Sequence, residues 1–430
     1  MQKRELVPGY KICPVIKGGW QLSSGHSLNQ KIEDQRAIDD TTAFIEAGIT
    51  TLDFGDIYTG VEELIGKSIA KLRETHGDSA RDLVQLHTKY VPNEKFLDNF
   101  DRTDVETIVN RSLSRLGVDQ VDLVQFHWWK YEAKHYLEAM EELFNLKALG
   151  KIRHIGVTNF DVERLSQMVD AGLKPSSIQL QYSLIDSRAE EGMSDFCEKH
   201  GIGMICYGTV AGGFFSERYL GIKEPTVFET RSNVKYRLII EEFGGWKIFQ
   251  RLLQVLSTIA SNHKTDIGTV ASAYILNQPS VKAVIIGARN TDHLKSNLSI
   301  PLIQFTVEEL GLLKEILVEI AKDERIYVRG VSGFEGAVPG GDRAGEGIEK
   351  LRTFLRHIVA AAEITAPYIR EDKIIISAGG SSFFDYVVEE LSKFSGDAHR
   401  MLRSGGYVSH DHIGYENMYP FMGAPDSERF

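Results

Sequence analysis

The stretch TTLDFGDIYTGVEELIGKSIAKL, residues 50–72, predicts one strand, one loop and one helix in succession. TTLDF (50–54) is a short apolar run, and VEELIGKSIAKL (61–72) places apolar residues at helical spacing along one face. The polar residues between them include Asp53 at the end of the predicted strand and Tyr58 five positions later. The order strand, polar loop and amphipathic helix recurs along the chain, and this repetition predicts the fold.

Seven further apolar runs alternate with amphipathic segments between about residues 15 and 300. Glycines such as Gly48, Gly117, Gly172 and Gly201 stand where helices would end, in the position that favours a left-handed backbone. Almost entirely apolar strands that alternate with helices indicate a parallel sheet covered on both faces. Eight of them predict an α/β fold in which the sheet closes, a (β/α)8 TIM barrel. The seven runs are VIKGG (15–19), LVQLHT (83–88), VDLVQFH (121–127), HIGVT (154–158), SIQLQ (177–181), GMICY (203–207) and AVIIG (283–287).

The composition is typical of a globular protein, with 42% apolar and 25% charged residues. The formal net charge of −11 argues against a general nucleic-acid or acidic-membrane binder. Three widely separated cysteines, Cys13, Cys197 and Cys206, indicate reduced thiols rather than a disulfide frame or a zinc site. The sequence shows no apolar signal segment and no run of about 18 apolar residues, so we expect a cytoplasmic protein.

Polar residues end or follow six of the predicted strands. In a barrel of this type the C-terminal strand ends form one rim, which is where catalytic residues lie. Each residue alone has an ordinary explanation, such as a helix cap, a half-buried ring, a solvated lysine or a satisfied core histidine. Together, on one rim, they favour a functional site. These residues are Asp53, Tyr58, Lys89, His127, Thr158, Asn159, Gln179, Gln181 and Tyr207.

Four of these side chains could together deliver a proton to a carbonyl oxygen. A tyrosine with a pKa of about 10 becomes a usable acid if a lysine ammonium within roughly 4–6 Å stabilises its anion. Asp53 could keep Lys89 charged in a partly buried site, and His127 could donate a hydrogen bond to the substrate oxygen. Such proton delivery pairs with hydride addition to the carbonyl carbon. The predicted barrel shows neither metal-ligand spacing nor a G-x-G-x-x-G turn.

Over about residues 8–320 the chain resembles the aldo-keto reductases. LDFGDIY (52–58), LHTKY (86–90) and VDLVQFHWW (121–129) resemble the segments that carry the family's catalytic residues. The resemblance implies NADPH-dependent reduction of an aldehyde or ketone, or the reverse oxidation, with NADH as the alternative cofactor. The implied catalytic residues are Asp53, Tyr58, Lys89 and His127, in the roles given above.

Four further segments resemble the family's cofactor-binding segments: GVTNF (156–160), SIQLQ (177–181), CYGTVAGG (206–213) and VIIGARNTDHLKSNL (284–298). The resemblance implies that the first two hold the nicotinamide carboxamide, that the tyrosine of the third stacks on the nicotinamide ring and that the fourth binds the adenosine phosphate. The implied cofactor residues are Thr158, Asn159, Gln179, Tyr207, Gly208, Thr209, Val210, Ala288, Arg289, His293 and Asn297.

The adenosine-phosphate segment departs from part of the family. Some members carry a lysine where Gly287 stands and an arginine where His293 stands. Either residue here could instead be ordinary, a tight turn or a helix-surface side chain. Arg289 remains available to a 2′-phosphate through a planar, charged fork of donors, which favours NADPH.

The substrate pocket is less clearly marked in the sequence. Trp20 and Trp128 follow strand ends on the predicted rim and could wall an apolar or aromatic pocket. Trp129 is as readily explained as a large ring at the edge of the core. The segment 208–245 is too long for an ordinary loop, so we expect a flap that folds over the cofactor or shapes the pocket.

FTVEELGLLKEILVEIAK (305–322) predicts the closing helix of a barrel domain at 1–322, with Thr306 as its cap and Glu309 three residues later. The remainder, 323–430, is a C-terminal α/β appendage. It has a glycine-rich stretch at 330–347, a predicted helix at about 348–366 and a predicted strand at 373–385.

The appendage is similar over about residues 325–415 to the pyridoxal-phosphate (PLP) D-threonine aldolases and D-amino-acid deaminases. VRGVSGFEG (328–336), ISAGGSSFFD (376–385) and LRSGGYVSHDHIGY (402–415) carry this resemblance. The backbone after the predicted strand, at 379–381, could form an anion nest or an ordinary tight turn. The family's cofactor lysine and metal-ligand pair belong to segments that this sequence lacks. We therefore expect neither PLP in the appendage nor a metal at His410–His412.

Two alternatives to a carbonyl reductase remain open. One is a cofactor-binding regulatory or interaction module with little turnover, and the other is a bifunctional fusion with a PLP-dependent D-amino-acid lyase or deaminase activity. The expected partner of the barrel is a small carbonyl compound rather than nucleic acid or a membrane, and an oligomer is compatible with the sequence.

Overall fold

The computed structural model describes residues 1–25, 33–321, 330–334, 346–365, 374–379, 384–396 and 398–403. The chain divides into two compact units, Met1–Ala321 and Lys322–Phe430. Each unit is described by itself below.

The first unit contains eight parallel strands that close into a barrel, in the order β10-β3-β4-β5-β6-β7-β8-β9. All eight apolar runs in the sequence form these strands, so the predicted (β/α)8 barrel is confirmed. Because neighbouring strands are parallel, their C-terminal ends meet at one rim. The strands are β3 (Val15–Gly18), β4 (Thr51–Asp53), β5 (Gln85–Tyr90), β6 (Val121–Phe126), β7 (Ile152–Thr158), β8 (Ser177–Gln181), β9 (Gly203–Tyr207) and β10 (Val281–Gly287).

An antiparallel hairpin, which the sequence did not predict, precedes the barrel. It consists of β1 (Arg4–Val7) and β2 (Tyr10–Ile12). Its apolar side chains pack with Ile16, Leu123 and Ile205 of the barrel strands. The hairpin therefore closes the end of the barrel opposite the functional rim.

Helices cover the outside of the barrel and bury one apolar face each. The face predicted for the helix after β4 is buried throughout, from Val61 to Leu72. Gly117 ends the helix after β5 at φ 65°, a left-handed conformation that side chains other than glycine rarely adopt. The helices of this unit are α1 (Asp34–Glu46), α2 (Val61–His76), α3 (Ala80–Leu83), α4 (Arg102–Leu116), α5 (Tyr136–Ala148), α6 (Val162–Asp170), α7 (Met193–His200), α8 (Arg231–Glu242), α9 (Gly245–His263), α10 (Ile267–Leu276), α11 (Leu294–Ser299) and α12 (Val307–Ala321).

The segment predicted as a flap contains helix α8. Thr230 caps this helix by accepting from the Asn233 backbone N–H at 3.1 Å. The Asn233 side chain in turn donates to the carbonyl oxygen of Gly212 at 3.0 Å, which ties α8 to the loop after β9. This contact places one face of α8 at the functional rim.

Helix α12 begins with the predicted capping box. The Glu309 backbone N–H donates to Thr306 Oγ1 at 3.2 Å, and the Thr306 N–H donates to Glu309 Oε2 at 3.0 Å. The two residues therefore satisfy donors that the first turn of a helix would otherwise leave unpaired.

The second unit contains a parallel sheet of order β11-β12-β13, formed by Gly330–Phe334, Ile374–Gly379 and Ala398–Arg403. Helices α13 (Glu346–Thr365) and α14 (Phe384–Leu391) pack on it through a small apolar cluster. The predicted helix at 348–366 corresponds to α13, and the predicted strand at 373–385 is shorter because β12 ends at Gly379.

Two predictions in this unit lie outside the described residues. They are the proposed anion nest beyond Gly379 and the stretch His410–His412. The resemblance to PLP-dependent enzymes stays a prediction.

Candidate active site

Polar residues from several strand ends line one cavity of about 530 Å³ at the functional rim. Asp53 comes from β4, Lys89 from β5, and Tyr58 from the loop between β4 and α2. His127 directly follows β6. The structure thus brings together the four residues that the sequence nominated as catalytic.

A buried ion pair lies at the base of this cavity. Lys89 Nζ is 2.6 Å from Asp53 Oδ1, and the two side chains are 6% and 5% exposed. Lys89 also donates to the carbonyl oxygen of Phe54 at 2.7 Å, and Gln179 Nε2 donates to the second Asp53 oxygen at 2.6 Å. Burial disfavours the charge on Lys89, but Asp53 and Tyr58 outweigh this effect and raise its pKa. Lys89 is therefore held as an ammonium.

Tyr58 lies over this ammonium. Lys89 Nζ is 5.1 Å from the centre of the tyrosine ring, and the centre of the Trp20 ring is 5.0 Å from the same point. Burial raises the pKa of Tyr58 above its usual value, and the charge of Lys89 opposes this rise. The phenol is therefore protonated at neutral pH, and Lys89 stabilises the anion that forms when the proton leaves.

His127 is held by the backbone of the neighbouring strand. Its Nδ1 lies 3.2 Å from the carbonyl oxygen of Thr158, and burial lowers its pKa. A carbonyl oxygen only accepts hydrogen bonds, so Nδ1 carries the proton and Nε2 of the neutral ring is an acceptor. The sequence predicted a donor at this position. In this arrangement Nε2 donates only in the protonated imidazolium.

A second cavity of about 440 Å³ continues from the first. The two cavities share Gln21, Val210, Gly212, Ser232 and Gly287 as lining residues, so they form one groove across the rim. The second cavity is lined by three of the predicted adenosine-phosphate residues. These are Arg289, His293 and Asn297.

The groove fits a nicotinamide dinucleotide. Amide and hydroxyl groups lie at the catalytic end, where Tyr207 Oη donates to Asn159 Oδ1 at 2.9 Å, and a guanidinium lies at the other end. At the junction, a side chain on Gly212 would place its Cβ 2.7 Å from the ring of Tyr236, and one on Gly287 would overlap the Gln21 amide. Gly212, whose backbone is also left-handed (φ 62°), therefore requires glycine, whereas the flexible Gln21 amide could move away from a side chain at position 287. Six of the predicted cofactor residues line the first cavity, and one of them, Val210, also lines the second. The six are Thr158, Asn159, Gln179, Tyr207, Gly208 and Val210.

Two predicted cofactor residues line neither cavity. Thr209 is fully buried, with its Oγ1 2.9 Å from Ser272 Oγ. Ala288, the residue directly after β10, is buried, and its carbonyl oxygen accepts from Lys17 Nζ at 3.3 Å. Their side chains support the walls of the groove from behind.

The structure corrects the prediction for the two tryptophans after β6. Trp128 is 2% exposed, packs on Phe126, and donates from Nε1 to the Ala133 carbonyl oxygen at 2.8 Å. Trp129 is 47% exposed, lines the catalytic cavity, and lies 4.6 Å from the ring of His127. Trp129 therefore faces the cavity together with His127, whereas Trp128 is buried in the core. Trp20 lines the cavity, as predicted.

Three residues near the cavity were missed or misjudged from the sequence. Helix α8 contributes Tyr236 and Lys235, and Lys235 Nζ lies 5.3 Å from the centre of the Tyr207 ring. No motif or spacing marks these two. Asp56, interpreted from the sequence as a solvated loop residue, is instead 6% exposed. Its burial depends on arginines more than fifty positions away, which local sequence does not show.

A model of the aldo/keto reductase family matches residues 14–318. The chain belongs to this family. Aldo/keto reductases are NAD(P)H-dependent oxidoreductases, and the barrel and rim residues described above agree with that assignment.

Two proteins of Escherichia coli are similar to this chain over much of its length. The protein tas of Escherichia coli is 27% identical over 53% of this chain and 68% of its own length. The NADH-specific methylglyoxal reductase of Escherichia coli is 23% identical over 70% of this chain and 93% of its own length.

Solved structures share the fold. A thermostable aldo-keto reductase in complex with the inhibitor epalrestat matches with a TM-score of 0.58 and 26% identity, over 74% of this chain and 100% of that one. The glycerol dehydrogenase of Gluconobacter oxydans matches in fold, with a TM-score of 0.62 and 20% identity over 73% of this chain and 94% of that one.

Within the described ranges, no helix is long and apolar enough to cross a membrane. In the same part of the chain, no group of three or more histidine, cysteine or acidic side chains is arranged to hold a metal ion.

We predict that Asp53→Asn destabilises the barrel by about 3–5 kcal/mol, because it leaves the Lys89 ammonium buried without a counter-ion. Urea unfolding at pH 7 measures the change. Lys71 and Asp39 form a matched control, since they are also 2.6 Å apart but lie on the surface. Asp39→Asn should change the unfolding midpoint little. Equal effects of the two substitutions would contradict the importance of the buried pair.

Substitution of Trp128 should affect the stability of the fold, and substitution of Trp129 should affect substrate binding. Trp128→Ala should lower the free energy of unfolding by about 3–5 kcal/mol, because it empties a packed site. Trp129→Ala should leave stability nearly unchanged and alter the KM for a carbonyl substrate. Urea unfolding and steady-state kinetics on both variants test this, and the reverse pattern would contradict the assignment.

Proposed function

We propose that this protein reduces an aldehyde or ketone to an alcohol with NADPH, and that Tyr58 is the proton donor. The observation that carries the proposal is the position of the half-buried Tyr58 ring beside the Lys89–Asp53 pair. This arrangement lies at one end of a groove that fits a dinucleotide.

When bound, the nicotinamide cofactor supplies the hydride that adds to the carbonyl carbon. As negative charge develops on the carbonyl oxygen, Tyr58 transfers its proton to that oxygen. The Lys89 ammonium stabilises the resulting tyrosinate, and Asp53 keeps Lys89 charged and in place. Gln179 fixes the second oxygen of Asp53, so the pair presents one orientation to Tyr58.

His127 would position the reacting oxygen from the opposite side. In its neutral form, Nε2 can accept the hydroxyl hydrogen of the alcohol product. In the imidazolium form, both ring nitrogens donate, and Nε2 can then bind the carbonyl oxygen. Because burial lowers the pKa of His127, the neutral form predominates at neutral pH.

The walls of the catalytic cavity favour an apolar or aromatic substrate. Trp20 and Trp129 stand on two sides, and Ile57 and Val91 add aliphatic surface. Such walls bind through burial of apolar area, while the polar base fixes the carbonyl group.

Arg289 supports NADPH as the cofactor. It lines the second cavity, where a planar guanidinium can bind a 2′-phosphate through two parallel hydrogen bonds. One relative is named as NADH-specific, so the choice requires a direct measurement.

Tyr58→Phe should reduce turnover by about 100- to 10,000-fold, because it keeps the ring and removes the proton donor. NADPH oxidation with a panel of aldehydes and ketones measures turnover, and NADPH fluorescence measures cofactor binding. Cofactor affinity should be retained. Near-normal turnover in this variant would refute the role of Tyr58. If the unmodified protein binds NADPH tightly and turns over no carbonyl compound, a regulatory module is the better assignment.

Arg289→Gln should weaken NADPH binding by about tenfold or more, through the loss of charged hydrogen bonds to the 2′-phosphate. The Kd for NADH should stay the same. Arg218→Gln is the matched control, because Arg218 is a second arginine that lines the same cavity, where it pairs with Glu229 at 3.3 Å. If Arg289→Gln weakens NADH and NADPH binding equally, Arg289 does not select the phosphate.

A further inference from the structure

Asp56 is a buried carboxyl group that the proposed reaction does not use. It lies in the loop between β4 and α2, two positions before Tyr58, and its side chain is 1% exposed. Its Oδ1 has no hydrogen-bond partner within the described ranges. An ionisable group is rarely buried in this way without a structural or functional reason.

The surroundings of Asp56 connect the Tyr58 loop to the end of β5. The backbone N–H groups of Val91 and Ile57 face its carboxyl group and lower the pKa of Asp56. Val91 lies two positions after Lys89, and Ile57 precedes Tyr58. Both line the catalytic cavity. One carboxyl group therefore lies between the two segments that carry the proposed proton donor and its ammonium.

Helix α4 secures the same loop from outside. Arg111 Nη2 is 3.5 Å from Asp56 Oδ2, and Arg115 Nη1 donates to the Asp56 backbone oxygen at 3.3 Å. On the inner side, the loop packs directly on Lys89, since a Cβ on Gly55 would lie 3.3 Å from the lysine side chain. A shift of this loop would move Tyr58 relative to Lys89.

Charges of both signs face Asp56 from the elements packed around it. Burial, and then the charge of Glu62, raise the pKa of Asp56 from 3.8 to about 7. Arg111 and the two backbone N–H groups lower the pKa and offset part of this rise. The titratable and charged neighbours are Glu62 and Glu63 on α2, Arg111 and Arg115 on α4, and Tyr90 on β5.

We propose that Asp56 is a positioning residue whose ionised carboxylate holds the Tyr58 loop against the end of β5, and so places the phenol over Lys89. This inference rests on the proposed reductase function. A negatively charged carboxylate attracts the two N–H groups that face it more strongly than a protonated or amide side chain, which also has fewer acceptor sites. Asp56 acts through Tyr58 and does not touch the reacting atoms.

Asp56→Asn and Asp56→Ala should lower kcat by about 10- to 100-fold, since small displacements of a proton donor reduce the rate steeply. The Kd for NADPH should stay unchanged, because the loop lies away from the second cavity. The asparagine variant keeps the shape of the side chain and guards against simple misfolding. Unchanged kcat in both variants would overturn the proposal.

The pH profile distinguishes positioning from a purely structural role. In the unmodified protein, kcat should rise with pH through about 7 as Asp56 ionises, and this limb should vanish in Asp56→Asn. Glu62→Gln should move the limb to lower pH, because it removes a neighbouring negative charge. Glu63→Gln is the matched control, since Glu63 pairs with the same Arg115 but is 44% exposed. The proposal would be refuted if kcat still rose with pH in Asp56→Asn, or if the midpoint of this rise did not change in Glu62→Gln.

Two measurements on the full chain do not depend on turnover. Hydrogen exchange at the backbone amides of Ile57 and Val91 should accelerate in Asp56→Asn. The pKa of Asp56 is higher in the folded chain than in the unfolded chain, so protonation favours the folded state. The free energy of unfolding should therefore fall as pH rises from about 4 to about 7. Asp56→Asn should abolish this fall. If these two results hold while no carbonyl compound is reduced, the proposed function fails and the loop attachment stands. If exchange is unchanged while reduction is normal, only the role of Asp56 fails.

Discussion

The structure depends most on one buried ion pair. It joins the Lys89 ammonium to the Asp53 carboxylate at the base of the rim cavity. Removing two charges from water is costly, and direct attraction offsets that cost only when the remaining hydrogen bonds are satisfied. Lys89 therefore requires the Phe54 carbonyl as well as Asp53, and Asp53 requires the amide of Gln179. These contacts join β4, β5 and β8 across the barrel mouth, so the site depends on closure of the sheet.

Much of the fold could be predicted because local sequence determines it. Each barrel strand is a short apolar run next to an amphipathic helix, and each signal lies within about 25 residues. The hairpin at Arg4–Ile12 was missed because its strands are three and four residues long. Helix α8 was missed because Gly-rich and polar segments surround it, and it is held in place through Asn233 and the distant backbone of Gly212.

The residues of the candidate site also differ in whether local sequence could predict them. Residues at strand ends could be nominated because the barrel makes their positions neighbours. Side-chain direction beyond the last strand residue was harder to predict. Trp128 was expected to line the pocket, but Trp129 lines it instead. Burial of Asp56 could not be predicted at all, since it depends on Arg111 and Arg115, which reach the loop from α4. Tertiary contacts of this kind decide the protonation state of a group, and composition gives no indication of them.

The N-terminal hairpin connects the closed end of the barrel to the catalytic strand. Tyr10 Oη is 2.8 Å from His87 Nε2, and His87 lies on β5 two positions before Lys89, on the same side of the strand. Burial lowers the pKa of His87 to about 3, so this contact is between neutral groups. The first dozen residues are thus an integral part of the barrel. Fusions or truncations at this end of the domain would act on the strand that carries Lys89.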